Sequence, residues 1–185
     1  MTGVIDFKTL AAHLEEGGVI AYPTEGVWGL GCDPLNEVSV KKICALKGRN
    51  VEKGLVLVAA NLDQINFLTK TLSRHAQAIL EASCPGPDTW LIPDTDKVIP
   101  SWIKGNFVTV AVRVSQHPIV KSLCENIGLL VSTSANPSGS EPANSQQQVE
   151  AYFRNKNICI VPGELGGQHK PSRIRDLLSQ KIIRG

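Results

Sequence analysis

A chain of 185 residues, 42% apolar and 19% charged, can bury a core without disulfide or metal staples and is neither disordered nor collagen-like in composition. That length favours one domain, here residues 1–185. Nineteen basic and 17 acidic residues leave a net charge of only +2, which excludes bulk attraction to nucleic acid or a membrane surface; a bound anion has to be held by a few local cations.

The first helix is predicted to start at Asp6, a good N-cap. Phe7, Leu10, Ala11 and Leu14 then recur at helical spacing until Gly17-Gly18 stops it. Residues 19–22 form a short strand ended by Pro23, and Gly26 to Gly31 read as a glycine-punctuated loop. A second helix is predicted over 36–46, ending at Lys47-Gly48-Arg49. Residues 55–59 are a continuous apolar run of the kind buried on both faces of a sheet. Helical stretches follow near 62–68 and 73–81, then strands at 89–92 and 108–112. Pro118 opens a helix that stops near Gly128. Residues 129–131 make another buried strand, which empties into Ser132-Thr133-Ser134-Ala135-Asn136. A Pro/Gly/Ser/Asn-rich loop over 136–145, a helix near 146–153, a strand at 158–161 and two short terminal runs complete the chain. Strands and helices alternate irregularly, so the expected fold is α/β (α+β): a twisted open mixed sheet flanked by helices, in a single domain.

Cys32, Cys44, Cys84, Cys124 and Cys159 contain no C-x-x-C pair, so neither a zinc knuckle nor a redox pair is expected. Scattered free thiols suit a reducing compartment. The start, Met1 to Asp6, lacks the basic and apolar regions of a signal peptide, and no apolar stretch is long enough to span a bilayer. A cytoplasmic protein is expected, with no membrane partner.

Several segments could carry chemistry. No G-x-x-x-x-G-K-[ST] loop exists, and Pro34 stands where a third glycine of a dinucleotide fingerprint would be required after Gly29-Leu30-Gly31. Lys47 and Arg49 flank Gly48 and can turn toward one anion, the lysine as a point charge and the arginine as a fork; they can equally complement the end of a helix dipole. The hydroxyl-rich run 132–136 lies at the C-terminal end of a buried strand, where open sheets place ligands, although such runs also satisfy their own backbone. Arg113 sits in an apolar strand, so it either forks onto a substrate carboxylate or pairs with an internal acid. In Pro23-Thr24-Glu25, Thr24 can bind a polar ligand and Glu25 can act as a base or metal partner, or the three form a capped turn. His13, His75, His117 and His169 share no ligand spacing. No metal-binding cluster is expected.

Taken in order, Tyr22-Pro23-Thr24-Glu25, Gly29-Leu30-Gly31, Leu46-Lys47-Gly48-Arg49, Pro85-Gly86-Pro87, Ala111-Val112-Arg113, Ser132-Thr133-Ser134-Ala135-Asn136 and the tail Pro162-Gly163, Pro171-Ser172, Ile183-Arg184-Gly185 resemble the YrdC/TsaC family over nearly the whole chain. The most specific element is K-x-R followed far downstream by S-x-N. The chain is similar to the short-form members. It departs from the family's usual residues at Trp28, at Asp88, and in the lack of a histidine over 57–60.

The resemblance implies a YrdC-like sheet with a concave, positive face and L-threonylcarbamoyladenylate synthase activity, a nucleotidyl transfer. Threonine, bicarbonate and ATP would give threonylcarbamoyl-AMP and pyrophosphate, for the N6-threonylcarbamoyladenosine modification of tRNA. It implies ATP binding by Lys47, Arg49, Ser134, Asn136, Ser172 and Arg184, with Lys47 and Arg49 catalytic, and threonine binding by Thr24, Arg113 and Thr133. Mg2+ would accompany ATP, held chiefly by phosphate oxygens and water. A separate tRNA threonylcarbamoyl-transferase complex would receive the product. On these grounds Lys47→Ala and Arg49→Ala are each expected to cut pyrophosphate release and leave the fold intact. The competing reading is a non-catalytic RNA-binding ribosome maturation factor; a charge of +2 weighs against it, and weak RNA binding stays open. A sugar-phosphate lyase of the riboflavin pathway would want clustered acids, which the sequence does not offer.

Overall fold

The computed structural model describes residues 5–168 and 172–185; residues 1–4 and 169–171, among them His169 and Pro171, lie outside the described residues. Asp6 caps α1, Phe7–Glu15, by accepting from the Lys8 and Thr9 backbone N–H groups, and the chain leaves the helix through Gly17 at φ +84°. The strands β1, Val19–Pro23, and β2, Trp28–Cys32, then pair antiparallel.

The stretch expected to be a glycine loop is therefore largely strand. A Cβ on Gly31 would lie 2.7 Å from the Tyr22 ring and 2.9 Å from the Val131 carbonyl oxygen, and one on Gly29 would lie 3.4 Å from the same ring. These glycines make room for the buried Tyr22 side chain across the ladder, and do not mark a turn.

Asn36 caps α2, Glu37–Lys47, and Gly48 ends it in the left-handed conformation at φ +60°. There follow β3 (Val56–Ala59), α3 (Asn66–Thr69), α4 (Arg74–Ser83), β4 (Asp88–Pro93), α5 (Ser101–Lys104), β5 (Thr109–Val114), α6 (Pro118–Ile127), β6 (Leu130–Ser134), α7 (Gln146–Tyr152), β7 (Ile158–Ile160), β8 (Arg173–Asp176) and β9 (Ile182–Arg184). The one-turn helix α5 is too short to show a sequence period and was not expected. The first three residues of the hydroxyl run, 132–134, belong to β6 and not to a loop.

Among the described residues nine strands join one sheet in the order β7-β1-β2-β6-β3-β5-β4-β8-β9. The pairs β1/β7, β3/β5 and β4/β8 are parallel and the others antiparallel, which is the mixed sheet expected. Along β5 the side chains alternate: Val110, Val112 and Val114 are buried in the core, while Thr109, Ala111 and Arg113 turn to the other face and are half-buried. That second face carries the site. Among the described residues no helix is long and apolar enough to cross a membrane.

Candidate active site

Period-2 alternation along three central strands brings Ala111 and Arg113 of β5, Thr89 and Leu91 of β4, and Ser132 and Ser134 of β6 to one hollow of about 470 Å³. This is the size of a small-molecule site. Other walls come from the Thr24–Gly29 turn, from the segment after α2 that carries Arg49 and Lys53, and from the C-terminal hairpin β8–β9, which brings Ser172, Ile183 and Arg184.

Of the nine residues singled out in the sequence, Thr24, Arg49, Arg113, Thr133, Ser134, Ser172 and Arg184 line this cavity; Lys47 and Asn136 do not. Lys47 is buried at 5% exposure behind the wall. Its ammonium donates to the Ser134 carbonyl at 2.5 Å, the Asn136 carbonyl at 2.7 Å and Asn136 Oδ1 at 3.1 Å, which uses all three of its protons. Burial, with the neighbouring Arg49 charge, pushes its pKa down to about 8. Ser134 Oγ in turn donates to Asn136 Oδ1 at 2.6 Å. Lys47 thus meets the 134–136 segment and, with Asn136, braces the cavity wall from behind it.

Arg49 is aimed by its Nη2, which donates to the Gly54 carbonyl at 2.8 Å and the Lys53 carbonyl at 3.2 Å, while its buried Nε has no hydrogen-bond partner. Arg184 Nη2 donates to the Ser172 carbonyl at 3.1 Å. Its pKa is lowered, by partial burial first and by the Arg49 charge second, so the two guanidinium groups share one region of the cavity. Among the described residues, Arg49, Lys53 and Arg184 reach the cavity with no carboxylate partner, whereas Lys104 is neutralised by Asp94. A cluster of unpaired cations over a lined hollow favours a polyanionic ligand.

Arg113 has the internal partner that one reading of the sequence required. Its Nη2 lies 3.0 Å from Glu25 Oε2, an ion pair without hydrogen-bond alignment, so Nε and Nη2 are left as buried donors with no acceptor. Such donors are costly unless satisfied, and a ligand carboxylate would satisfy them. Glu25 is an anchor here and is not poised as a base. Burial alone would raise its pKa, but Arg113, the Ser115 hydroxyl at 2.7 Å and backbone N–H groups including that of Gln116 outweigh burial and hold it below the usual range. Thr24 Oγ1 donates to the Val27 carbonyl at 2.7 Å and closes the turn at the cavity edge.

Among the described residues no group of three or more metal-ligating side chains is present. Glu25, the carboxylate that does line the cavity, is committed to Arg113 and Ser115. Sequence reasoning missed Thr89, Thr109, Lys53, Lys104 and Phe107 as lining residues. The alternation of Thr109, Ala111, Arg113 and Ser115 along an otherwise valine-rich stretch was the available signal for Thr109.

The Sua5/YciO/YrdC family, described as telomere recombination, matches residues 12–185. A threonylcarbamoyl-AMP synthase of Pseudomonas aeruginosa is 50% identical over 174 residues, covering 94% of each chain. Its counterpart from Saccharophagus degradans is 55% identical over 172 residues, covering 92% of this chain and 90% of that one. Among solved structures, P. abyssi Sua5 complexed with L-threonine superposes with a TM-score of 0.82 at 33% identity over 92% of this chain, which spans 50% of that protein. E. coli YciO matches with a TM-score of 0.82 at 24% identity, over 96% of this chain and 87% of the other, a likeness of fold.

Proposed function

The chain belongs to the Sua5/YciO/YrdC family, and from that premise we propose that it is a threonylcarbamoyl-AMP synthase, condensing L-threonine, bicarbonate and ATP for the N6-threonylcarbamoyladenosine modification of tRNA. The observation that carries this reading is the convergence in one cavity of two kinds of anion seat: unpaired Arg49, Lys53 and Arg184 for a triphosphate, and Arg113, with donors to spare, for an amino-acid carboxylate.

In this reading threonine's carboxylate docks on Arg113, with Thr24 and Thr133 beside it. The threonine amine attacks carbon dioxide derived from bicarbonate and loses a proton, giving a carbamate. A carbamate oxygen attacks the α-phosphorus of ATP, the bond to the bridging oxygen of the β-phosphate breaks, and pyrophosphate leaves. No covalent enzyme intermediate is needed. The residues act by orientation and by neutralising the charge that gathers on the phosphoryl oxygens. Arg49 and Arg184 hold phosphate oxygens, Ser172 offers a hydroxyl donor, and Lys47 with Asn136 fixes the segment that carries Ser134, whose own hydroxyl proton goes to Asn136 Oδ1. Magnesium enters with ATP as part of the substrate and adds charge compensation. The product passes to a transferase complex that loads it onto tRNA, in the cytoplasm.

Mass spectrometry of the purified protein with ATP, bicarbonate and threonine, each omitted in turn, tests the proposal. A threonylcarbamoyl-AMP peak and pyrophosphate that appear only with all three support it. Pyrophosphate release that ignores threonine overturns it.

A further inference from the structure

Ser172 and Arg184 reach the cavity on a short hairpin at the end of the sheet, and the contacts that seat this hairpin lie on the face of the sheet away from the cavity. β8 pairs with β4 in the register Asp88↔Arg173, Thr89↔Ile174, Trp90↔Arg175. Thr89 and Ile174 line the cavity; Asp88, Trp90, Arg173 and Arg175 do not. On that far face the Asp88 carboxylate, 7% exposed, receives Arg173 Nε at 2.8 Å and Nη2 at 3.1 Å, and Arg175 Nη1 at 3.4 Å. Arg175 also stacks over the buried Trp90 ring at 4.7 Å from its centre. On the cavity face the Thr89 and Ser172 hydroxyls are 2.7 Å apart, and the Ser172 carbonyl accepts from Arg184. Among the described residues, three register pairs beyond Asp88↔Arg173 hold β8 to β4, and β9 has no strand on its outer side.

We infer that Asp88 is a positioning residue for the nucleotide half of the site: it draws Arg173 and Arg175 onto β4 and so sets where Ser172 and Arg184 stand over the cavity. A buried carboxylate needs its cations, and those cations sit on the strand that leads directly from Ser172. The threonine half rests on the Arg113–Glu25 pair, which none of Asp88, Arg173 and Arg175 touches by an ion pair or side-chain hydrogen bond, although β5 is the neighbour of β4. The inference rests on the proposed synthase activity for its kinetic readout alone.

The test uses the full chain with Asp88→Asn, which keeps shape and removes charge, and Arg173→Gln, whose half-exposed side chain can be replaced without unfolding the protein. Steady-state pyrophosphate release gives KM for ATP and for threonine, and calorimetric titration of ATP in the absence of threonine gives Kd. Both variants are expected to raise KM and Kd for ATP about tenfold, equivalent to roughly 1.4 kcal/mol and to the loss of one charge-assisted hydrogen bond, with KM for threonine and kcat within twofold of the parent. Unchanged ATP binding in both variants, or parallel losses for ATP and threonine, overturns the inference and leaves Asp88 a purely structural acid. If the parent protein binds ATP but releases no threonine-dependent pyrophosphate, the synthase reading fails, and the ATP titration still decides the role of Asp88.

Discussion

Replacing Lys47 by methionine should weaken the fold before it touches catalysis. Methionine nearly matches the lysine stem in length, so packing survives, but the Ser134 and Asn136 carbonyls and Asn136 Oδ1 lose a donor they share at 2.5–3.1 Å. Each stranded buried acceptor costs about 1–3 kcal/mol. Removing the ammonium also removes the cost of burying a cation, which offsets part of that loss and leaves a net destabilisation of about 3 kcal/mol. At 2–4 °C per kcal/mol for a domain of this size, the melting temperature should fall roughly 6–12 °C. Thermal unfolding followed by circular dichroism without nucleotide isolates this effect, and pyrophosphate release at 20 °C then reports what the unbraced 134–136 segment does to turnover. A variant that melts within 2 °C of the parent yet has lost ATP binding would refute the brace and make Lys47 a direct phosphate ligand that swings into the cavity. The sequence alone suggested that second outcome.

The same contact can be probed by pH. Lys47 titrates near 8, so as the pH climbs past that value the neutral amine loses its charge and one of three donors, and KM for ATP should rise along an alkaline limb centred there; a flat profile between pH 7 and 9.5 contradicts it. Arg49→Ala removes a cation that the fold holds by two backbone carbonyls, and should raise KM for ATP roughly 10- to 100-fold with little change in melting temperature; an unchanged KM would take Arg49 out of the site. Glu25 has a folded pKa below its ordinary value of 4.5, so the unfolded chain binds the proton first on acidification. The Glu25–Arg113 contribution to stability is therefore complete above about pH 4.5 and is lost as the pH falls through the folded pKa. Glu25→Gln should flatten that acid loss in urea titrations at pH 3–6, and an identical pH dependence in the variant would show that the pair contributes nothing.

The sequence by itself determined most elements and the chemical cast of the site. Asp6 as a cap, Gly48 as a helix stop and Pro118 as a helix start act within a few residues of backbone, so they are legible locally. The ordered K-x-R and S-x-N segments named the right neighbourhood. Pairing and facing were beyond it, because they depend on residues far apart in the chain. Gly29 and Gly31 read as a loop until Tyr22 is seen lying against them. Arg113 could have served a ligand or an acid until Glu25, 88 positions earlier, was found 3.0 Å away. Lys47 and Arg49 look like a matched pair in sequence, yet one is the last residue of a helix and the other follows a left-handed glycine, so the first points into the protein and the second into the cavity. Tertiary structure alone made that division, since the direction of a side chain follows from the backbone that carries it and from what packs behind it.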